Sequence, residues 1–158
     1  MNTYQKEQNN LGGIAKVWLI PSTLISSLPF STPAILAALP SGWDDDAWEF
    51  VPIFQSASFS EDMKPSPAGD YFEPTVTFKI PKIAYYSQDV INLLRSKRTS
   101  ILLLDQNGQY LLVGNDDYPV RLSTGSRSGA DISDLNHISL TYTGRNPFPS
   151  VFAADPFA

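Results

Sequence analysis

The segment Tyr71–Ile80 (YFEPTVTFKI) constrains the fold most, because apolar and polar residues alternate along it. Successive side chains of a β-strand point to opposite faces, so this alternation predicts a strand with one buried face and one solvated face. The residues predicted to face inward are Phe72, Val76, Phe78 and Ile80, and those predicted to face outward are Glu73, Thr75, Thr77 and Lys79. Such a half-buried strand is typical of an antiparallel sheet.

Further segments also have the pattern of strands. The run Ile14–Ile20 is almost wholly apolar and stops at Pro21, which indicates a buried first strand. The pair Asn107-Gly108 lies between two apolar runs, which is the strongest short-range signal for a hairpin. The other predicted strands are Trp48–Phe54, one beginning at Ser56–Phe59, Ser100–Asp105, Gln109–Gly114, Tyr118–Thr124 and Leu135–Thr143, with Ser60–Gly69 predicted as a turn.

One helix is predicted over Ser87–Arg98. Ser87 is a suitable N-cap, Val90 and Leu94 follow helical spacing, and the cations of Arg95–Arg98 offset the dipole at the C-terminus. The whole pattern predicts a mainly β fold, an antiparallel β-barrel or sandwich of about seven or eight strands with one α-helix packed over it.

The chain divides into a core and three less regular segments. Residues 13–145 form the predicted single domain, which includes a long, proline-rich loop over residues 21–47. Residues 1–12 are predicted to be a flexible arm, and residues 146–158 a tail rich in proline and phenylalanine. We expect the arm, the loop and the tail to become ordered only when the protein assembles with partners.

Composition excludes several classes of function. Among 158 residues there is no cysteine and one histidine, so thiolate metal sites, disulfides and cysteine nucleophiles are excluded. Eleven Lys and Arg against 16 Asp and Glu give a net charge of −5, which disfavours a protein that wraps nucleic acid. No apolar stretch is long enough to span a bilayer, and the first ten residues lack the apolar centre of a signal peptide.

Few residues could carry chemistry. The run Asp44–Asp46 could contact a cation, but three consecutive carboxylates cannot all turn to one ion, so a solvated loop is the preferred interpretation. His137 has no nucleophile marked by a motif, and the acids Glu61, Asp62 and Glu73 resemble the carboxylates of any acidic domain. We therefore predict that the protein is not an enzyme and that it uses no cofactor and no metal.

The aromatic residues are the predicted subunit interface: Trp43, Phe148, Phe152 and Phe157. The three phenylalanines lie in a segment that we expect to be too rich in proline to pair in a sheet, so we predict that they dock on a neighbouring subunit. The alternative is that the tail folds back on its own domain and that most tryptophans are core residues. Deleting residues 146–158 is predicted to leave the domain folded and to impair assembly.

Turn and strand motifs over residues 12–145 resemble those of a family. These motifs are Trp48–Pro52, Ser56–Glu61, Gly69–Glu73, Leu112–Gly114, Tyr118–Leu122, Thr124–Ser126 and Asp134–Asn136. The series resembles small structural proteins of the tail and neck encoded by phages and prophages of Bacteroidetes. The order of elements is similar to that of tail-tube-like barrels, which assemble into rings.

The resemblance implies a virion protein that assembles in the host cytoplasm. Its partners would be copies of itself and other virion proteins, with passing DNA contacted at most non-specifically. Tail tube, neck ring and head–tail connector all remain open. The alternative function is a monomeric β-sandwich that binds a carbohydrate or a protein, with Trp43 or Trp48 as a contact.

Overall fold

The computed structural model describes residues 12–25, 38–81, 85–128, 130 and 136–158. Within these ranges the chain forms nine strands in two antiparallel sheets, and one α-helix. Neither sheet closes into a barrel, so the fold is a β-sandwich, and the predicted fold class is confirmed. The predictions for residues 1–11, for residues 26–37 of the long loop and for residues 131–135 lie outside the described residues.

Five strands form sheet A, in the spatial order β2-β1-β5-β6-β9. Their bounds are β1 Ile14–Pro21, β2 Trp48–Phe50, β5 Thr99–Asp105, β6 Tyr110–Val113 and β9 Val151–Ala153. Four strands form sheet B, in the order β3-β4-β8-β7. Their bounds are β3 Ser58–Lys64, β4 Tyr71–Pro81, β7 Arg121–Arg127 and β8 His137–Thr143. Strands that are neighbours in a sheet mostly come from distant parts of the sequence, so most pairings are long-range.

Sheet B has the half-buried pattern that the sequence predicted. Val76 and Phe78 of β4 are buried between the sheets, as are Ile138, Leu140 and Tyr142 of β8. The opposite face, here called the outer face of sheet B, is polar. Its hydroxyl-bearing residues are Ser58, Ser60, Thr75, Thr77, Ser123, Ser139, Thr141 and Thr143.

Sheet A is buried on both faces. Val17 and Leu19 of β1 pack in the core between the sheets, whereas Trp18 and Ile20 of the same strand belong to a second apolar cluster on the far side. Ile25, Trp43 and Leu39 from the two described ends of the 21–47 loop pack in that second cluster. Burial on both faces explains why the first strand has a continuous apolar sequence rather than an alternating one.

The helix α1, Tyr85–Arg95, joins β4 to β5 and packs Ile91 and Leu94 into the core between the sheets. It begins two residues before the predicted start and ends three residues before the predicted end. Ser87 lies inside the helix and is therefore not its N-cap. The residues beyond Arg95 turn into β5, because the Lys97 N–H bonds to the Leu94 carbonyl and the Ser22 N–H bonds to the Arg98 carbonyl.

The Asn107-Gly108 hairpin between β5 and β6 is confirmed. Gly108 has a φ of +80°, which glycine adopts without steric cost. The Asp105 carboxylate accepts hydrogen bonds from the backbone N–H groups of Asn107 and Gln109, both at 2.8 Å. These bonds fix the turn at one end of the sandwich.

Three strands have a boundary that differs from the prediction by three residues or more. β2 ends at Phe50, because Ile53–Ser56 forms a turn in which the Ser56 N–H bonds to the Ile53 carbonyl. β3 continues to Lys64, so Ser60–Gly69 is not a turn over its whole length. β7 spans Arg121–Arg127, about three residues later than predicted.

Candidate subunit interface

The two edges of sheet B are long and open. β3 and β7 have seven residues each, and among the described residues each strand pairs with one neighbour only, with Val120, directly before β7, bridged to Thr99 of β5. Ser58, Ser60, Asp62 and Lys64 of β3 are exposed. An edge strand presents unpaired N–H and C=O groups that another chain can pair with, so proteins usually cover or shorten such strands.

The edges of sheet A are short by comparison. β2 and β9 have three residues each, which is one of the ways in which proteins protect a sheet edge from pairing. A lysine also lies beside β2: the Lys16 ammonium pairs with Glu49 at 2.9 Å. The two sheets therefore differ, and sheet B is the one with edges suited to pair with another copy.

The open edges carry opposite charges that are unpaired. Asp62 on β3 and Arg121 on β7 both lie on the outer face of sheet B, as their partners Glu73 and Thr143 do. Within the described part of the chain, neither Asp62 nor Arg121 forms an ion pair. An acid on one edge and a base on the other are complementary between two copies.

Other charges near these edges are already neutralised. Glu73 lies 2.6 Å from the Lys64 ammonium and 3.2 Å from Arg145 Nε. The hydrogen bond from Lys64, with smaller contributions from the charges of Lys64 and Arg145, lowers the pKa of the Glu73 carboxyl, and the same bond raises the pKa of Lys64. These residues stabilise one another on the surface and leave Arg121 without a carboxylate partner.

The prediction that residues 146–158 cannot pair in a sheet is wrong. Val151–Ala153 forms β9, which pairs antiparallel with β6 at the edge of sheet A. Asn146 exchanges two backbone hydrogen bonds with Phe72, at 2.7 and 2.8 Å. The Pro147 and Pro149 rings fall in the crossing between these two points, where no ladder bond is required. Sheet A therefore extends beyond the boundary predicted at residue 145.

The tail also covers the second face of sheet A. The Phe157 ring lies 5.5 Å from the Trp18 ring and 5.7 Å from the Trp43 ring, between ring centroids. Trp43 is 7% exposed within its own chain and has little surface left for another subunit. Trp43 is therefore a core residue, and its predicted place in a subunit interface is corrected.

Phe148, Phe152 and Phe157 remain partly exposed, at 45%, 48% and 59%. A second exposed apolar group lies at the opposite edge of sheet A, where Phe54 is 82% exposed at the tip of the Ile53–Ser56 turn. Trp48, on β2, is 39% exposed. Phe54 was not among the predicted interface residues, because it is the last residue of the predicted strand Trp48–Phe54, where a phenylalanine has the same pattern as a core residue.

A cleft of about 530 Å³ opens between β3 and the end of sheet A that carries the Asn107-Gly108 turn. Its apolar floor includes Phe59, Leu103 and Leu111, and its acidic residues are Glu61 and Asp105. No lysine or arginine lines it among the described residues. The Glu61 carboxylate accepts hydrogen bonds from the Ser150 N–H and hydroxyl, the latter at 2.6 Å, which ties β3 to the start of β9.

The remaining residues that the sequence analysis considered for chemistry are Asp44–Asp46 and His137. Asp44–Asp46 lies in a turn, and the described residues contain no group of three acidic or histidine side chains placed to hold a metal ion. His137 is 8% exposed at the start of β8 and is therefore buried within its own chain. In the described ranges, no helix has the length and the apolar character needed to cross a membrane.

Comparison of the chain with protein-family models, with curated proteins and with solved structures found no match.

Proposed function

We propose that this chain is a structural subunit of a phage virion, which forms a ring by pairing β7 of one copy with β3 of the next. The observation that carries the proposal is the pair of long, open edges at opposite sides of sheet B. A contact between two different surfaces of the same chain is heterologous, and such contacts generate a closed ring when the rotation between copies allows it.

The strand directions favour this contact. β3 is antiparallel to β4, β4 to β8, and β8 to β7, so β3 and β7 run in opposite directions. When β7 of one copy lies beside β3 of the next, the new pair is therefore antiparallel as well. The four-stranded sheets then join into one continuous antiparallel sheet around the ring, in which every former edge has a partner.

Charge favours one register of this pairing. If the two strands overlap over their full length, Arg121 lies opposite Lys64, which already pairs with Glu73, and Arg121 gains no acidic partner. A shift of two residues keeps the inner and outer faces aligned and places Asp62 opposite Arg121. In that register Ser60 lies opposite Ser123 and Ser58 opposite Gly125, which are small residues. The pairing ends at Asp62, because the next position along β7, Val120, already bonds to the Thr99 carbonyl of its own chain.

The shape of the subunit indicates which face lines the ring. Sheet A, its second apolar cluster and the tail all lie on one side of sheet B. A subunit that is thicker on this side closes with sheet B toward the axis. The hydroxyl-rich outer face of sheet B would then line the channel, and neutral hydroxyls together with a net charge of −5 give DNA little to bind.

The assignment of the chain to the tail or neck of the virion rests on the resemblance of its sequence motifs. The motifs over residues 12–145 support a tail or neck component, with copies of the same chain and other virion proteins as partners. The alternative function, a monomeric binding module, has the cleft between β3 and sheet A in its favour, since ligand sites commonly have such volumes.

Native mass spectrometry and negative-stain electron microscopy of the purified chain test the proposal. We expect closed rings whose mass is a whole multiple of the 17.4 kDa subunit. The variants Asp62→Arg and Arg121→Asp should each weaken ring formation, and the double variant should restore it, because the charges are exchanged and not removed.

Asp70→Arg is the matched control, because Asp70 is an exposed acid before β4 and does not lie on the open edge. It should form rings as the unchanged protein does. A protein that stays monomeric at all concentrations would contradict the ring, and a monomer with measurable affinity for glycans would support the alternative function. Rings that are insensitive to both charge reversals would exclude the β3–β7 contact.

A further inference from the structure

We infer that Phe54 of one subunit packs against Trp48 and Leu93 of the next subunit in the ring. This inference rests on the proposed function and adds an apolar contact to the pairing of β7 with β3. The partner is therefore a second copy of this chain. The exposed surface of Trp48 and Leu93 that receives the phenylalanine is called the Trp48–Leu93 patch below.

Phe54 is presented to solvent by a turn that is fastened to sheet B. Its side chain is 82% exposed, the highest value for a large apolar residue in the described part of the chain, and Val51 is 64% exposed. The Ile53 N–H bonds to the Lys79 carbonyl at 2.9 Å, and the Lys79 N–H bonds to Ser56 Oγ at 3.3 Å. Exposed apolar residues that lie together commonly mark a surface for another protein.

The same turn contains a strained residue. Gln55 has a φ of +58°, and within the described ranges it is the one residue other than glycine with a positive φ. The left-handed region is unfavourable for a residue with a Cβ, and such strained residues cluster where a protein makes functional contacts. Phe54 directly precedes Gln55, so this conformation helps to set the direction in which the aromatic ring is presented.

The Trp48–Leu93 patch lies where helix α1 meets β2. Trp48 of β2 and Leu94 and Lys97 of the helix end line one groove. Leu94 is buried, whereas Leu93 is 45% exposed and Trp48 is 39% exposed. Leu93 lies about one helical turn before Lys97 and therefore on the same side of the helix, next to this groove. Its aliphatic side chain and the indole of Trp48 are suitable partners for a phenylalanine ring.

Phe54 and the patch lie at different ends of sheet A within one subunit. Trp48 pairs with Leu19 and Phe50 pairs with Val17, so β2 leads the chain towards the first residue of β1. Phe54 follows four residues later, and the six steps from Trp48 to Phe54 span about 20 Å when the chain is extended. A subunit therefore does not bring its own Phe54 to its own patch, and the contact requires two copies.

The proposed pairing of sheet B brings these two ends face to face. β3 lies over the end of sheet A that contains Ile14 and Asp105, because Phe59 of β3 lines the cleft with both residues. β7 lies at the other end, because Val120, directly before β7, donates its N–H to the Thr99 carbonyl at 2.9 Å. When β7 of one copy pairs with β3 of the next, the Thr99 end of one sheet A faces the Ile14 end of the next.

The level along the strands agrees with this contact. In the shifted register proposed above, Arg127 at the end of β7 lies opposite Ser56 of the next copy, so the turn that carries Phe54 projects past the end of β7. Helix α1 starts at the same level, because Arg127 pairs with His137, which pairs with Pro81 at the end of β4. Phe54 of the next copy therefore meets the side of the helix on which the patch lies.

Crosslinking tests the contact, and the chain has no cysteine that would interfere. A full-length chain carrying Gln55→Cys and Ser96→Cys, two exposed positions that flank Phe54 and Leu93, is treated with a short bismaleimide under ring-forming conditions. We expect a ladder of covalent dimers, trimers and larger species on a denaturing gel. The matched control carries Gln55→Cys and Thr143→Cys, because Thr143 is exposed on the outer face of sheet B, opposite the first residue of β7. It should give no ladder.

The fluorescence of Trp48 gives an independent readout. Trp18 and Trp43 are already buried within the subunit, at 4% and 7% exposure, so assembly leaves their surroundings unchanged. The emission should move to shorter wavelength as rings form with rising protein concentration. This movement should be absent in Trp48→Phe.

The variant Phe54→Ala measures the strength of the contact. It should raise the concentration at which rings dissociate about tenfold, because burial of a phenylalanine side chain changes an equilibrium constant by roughly ten- to a hundredfold. Phe148→Ala is the matched control, because it truncates another partly exposed phenylalanine outside the patch, and it should leave this concentration unchanged. Circular dichroism and thermal unfolding establish that both variants fold.

The outcomes separate this inference from the proposed function. Rings that form normally, without the Gln55–Ser96 ladder and with equal stability in Phe54→Ala, would overturn the contact of Phe54 with the Trp48–Leu93 patch and leave the ring intact. A ladder of equal strength at Thr143 would overturn it too. If the unchanged protein forms no ring under any condition, the proposed function fails, and this contact fails with it.

Discussion

The contact of Phe157 with the second apolar cluster gives a prediction whose size can be worked out. Phe157 is 59% exposed, so about two-fifths of the side chain is covered. Fully burying a phenylalanine stabilises a protein by roughly 1.5–3 kcal/mol, and two-fifths of that is about 0.6–1.2 kcal/mol. The ring contacts with Trp18, Trp43 and Tyr110 are tilted or edge-on, which adds some favourable energy beyond the area.

The variant Phe157→Ala should therefore lower the free energy of unfolding by about 1–2 kcal/mol, and Tm by roughly 2–8 °C for a domain of this size. Thermal unfolding followed by circular dichroism gives the stability. The emission of Trp18 and Trp43 should move to longer wavelength, because both indoles lose an apolar neighbour.

Phe54→Ala is the control, because Phe54 is the most exposed of the large apolar residues named here. It should change the free energy of unfolding by less than about 0.5 kcal/mol. An unchanged Tm and an unchanged emission spectrum in Phe157→Ala would refute the packing of the tail on sheet A. In that case we would again expect that deletion of residues 146–158 leaves the domain folded.

Two further predictions concern the core and the effect of pH. Tyr142→Phe should raise Tm by a few degrees, because the Tyr142 hydroxyl is buried without a hydrogen-bond partner among the described residues, and burial raises its pKa; a lower Tm would mean that the hydroxyl has a partner. The hydrogen bond from Lys16 and, to a smaller extent, that from Trp18 lower the pKa of the Glu49 carboxyl. The ionised carboxylate therefore contributes less than about 1 kcal/mol to the free energy of unfolding. This contribution is fully present above the unfolded pKa of 4.5 and is lost as the pH falls through the lower folded pKa. Glu49→Gln should accordingly lower Tm at pH 7 and by progressively less as the pH falls below 4.5, as measured by thermal unfolding over a pH series, and a loss that does not change with pH would contradict this origin.

The parts of the fold that could be predicted from the sequence are those with local signals. The alternation over Tyr71–Ile80 indicates a strand with one buried face. The Asn107-Gly108 pair indicates a hairpin because its two residues favour a tight turn. The apolar run Ile14–Ile20 indicated a buried strand. Each signal lies within about ten residues, so no knowledge of the partner strand was needed.

The parts that were missed depend on distant partners. β9 has three residues among prolines and phenylalanines, and only its pairing with β6 makes it a strand. Trp43 is buried because a loop and a tail meet over sheet A, which the sequence around Trp43 does not reveal. The helix start was misplaced because a serine with helix-forming residues on both sides has the pattern of a cap as well as of a first turn.

For the proposed interface, sequence indicated exposed aromatic residues and missed the strand edges. Whether a strand is central or at an edge depends on the order of strands in the sheet, and the order β3-β4-β8-β7 does not follow the order of the chain. Only that order shows that Asp62 and Arg121 lie on the two opposite edge strands of sheet B.

The apolar face of sheet A that carries Trp18 is completed late during synthesis of the chain. Trp18 lies on β1, but its neighbour Phe157 is made 139 residues later, the difference between positions 157 and 18. At the usual rates of translation this interval lasts about 7–28 s. During that time the face of the first strand that carries Trp18 lacks the part of its cover that the tail supplies. We expect nascent chains that stop before β9 to depend on chaperones far more than the finished chain does.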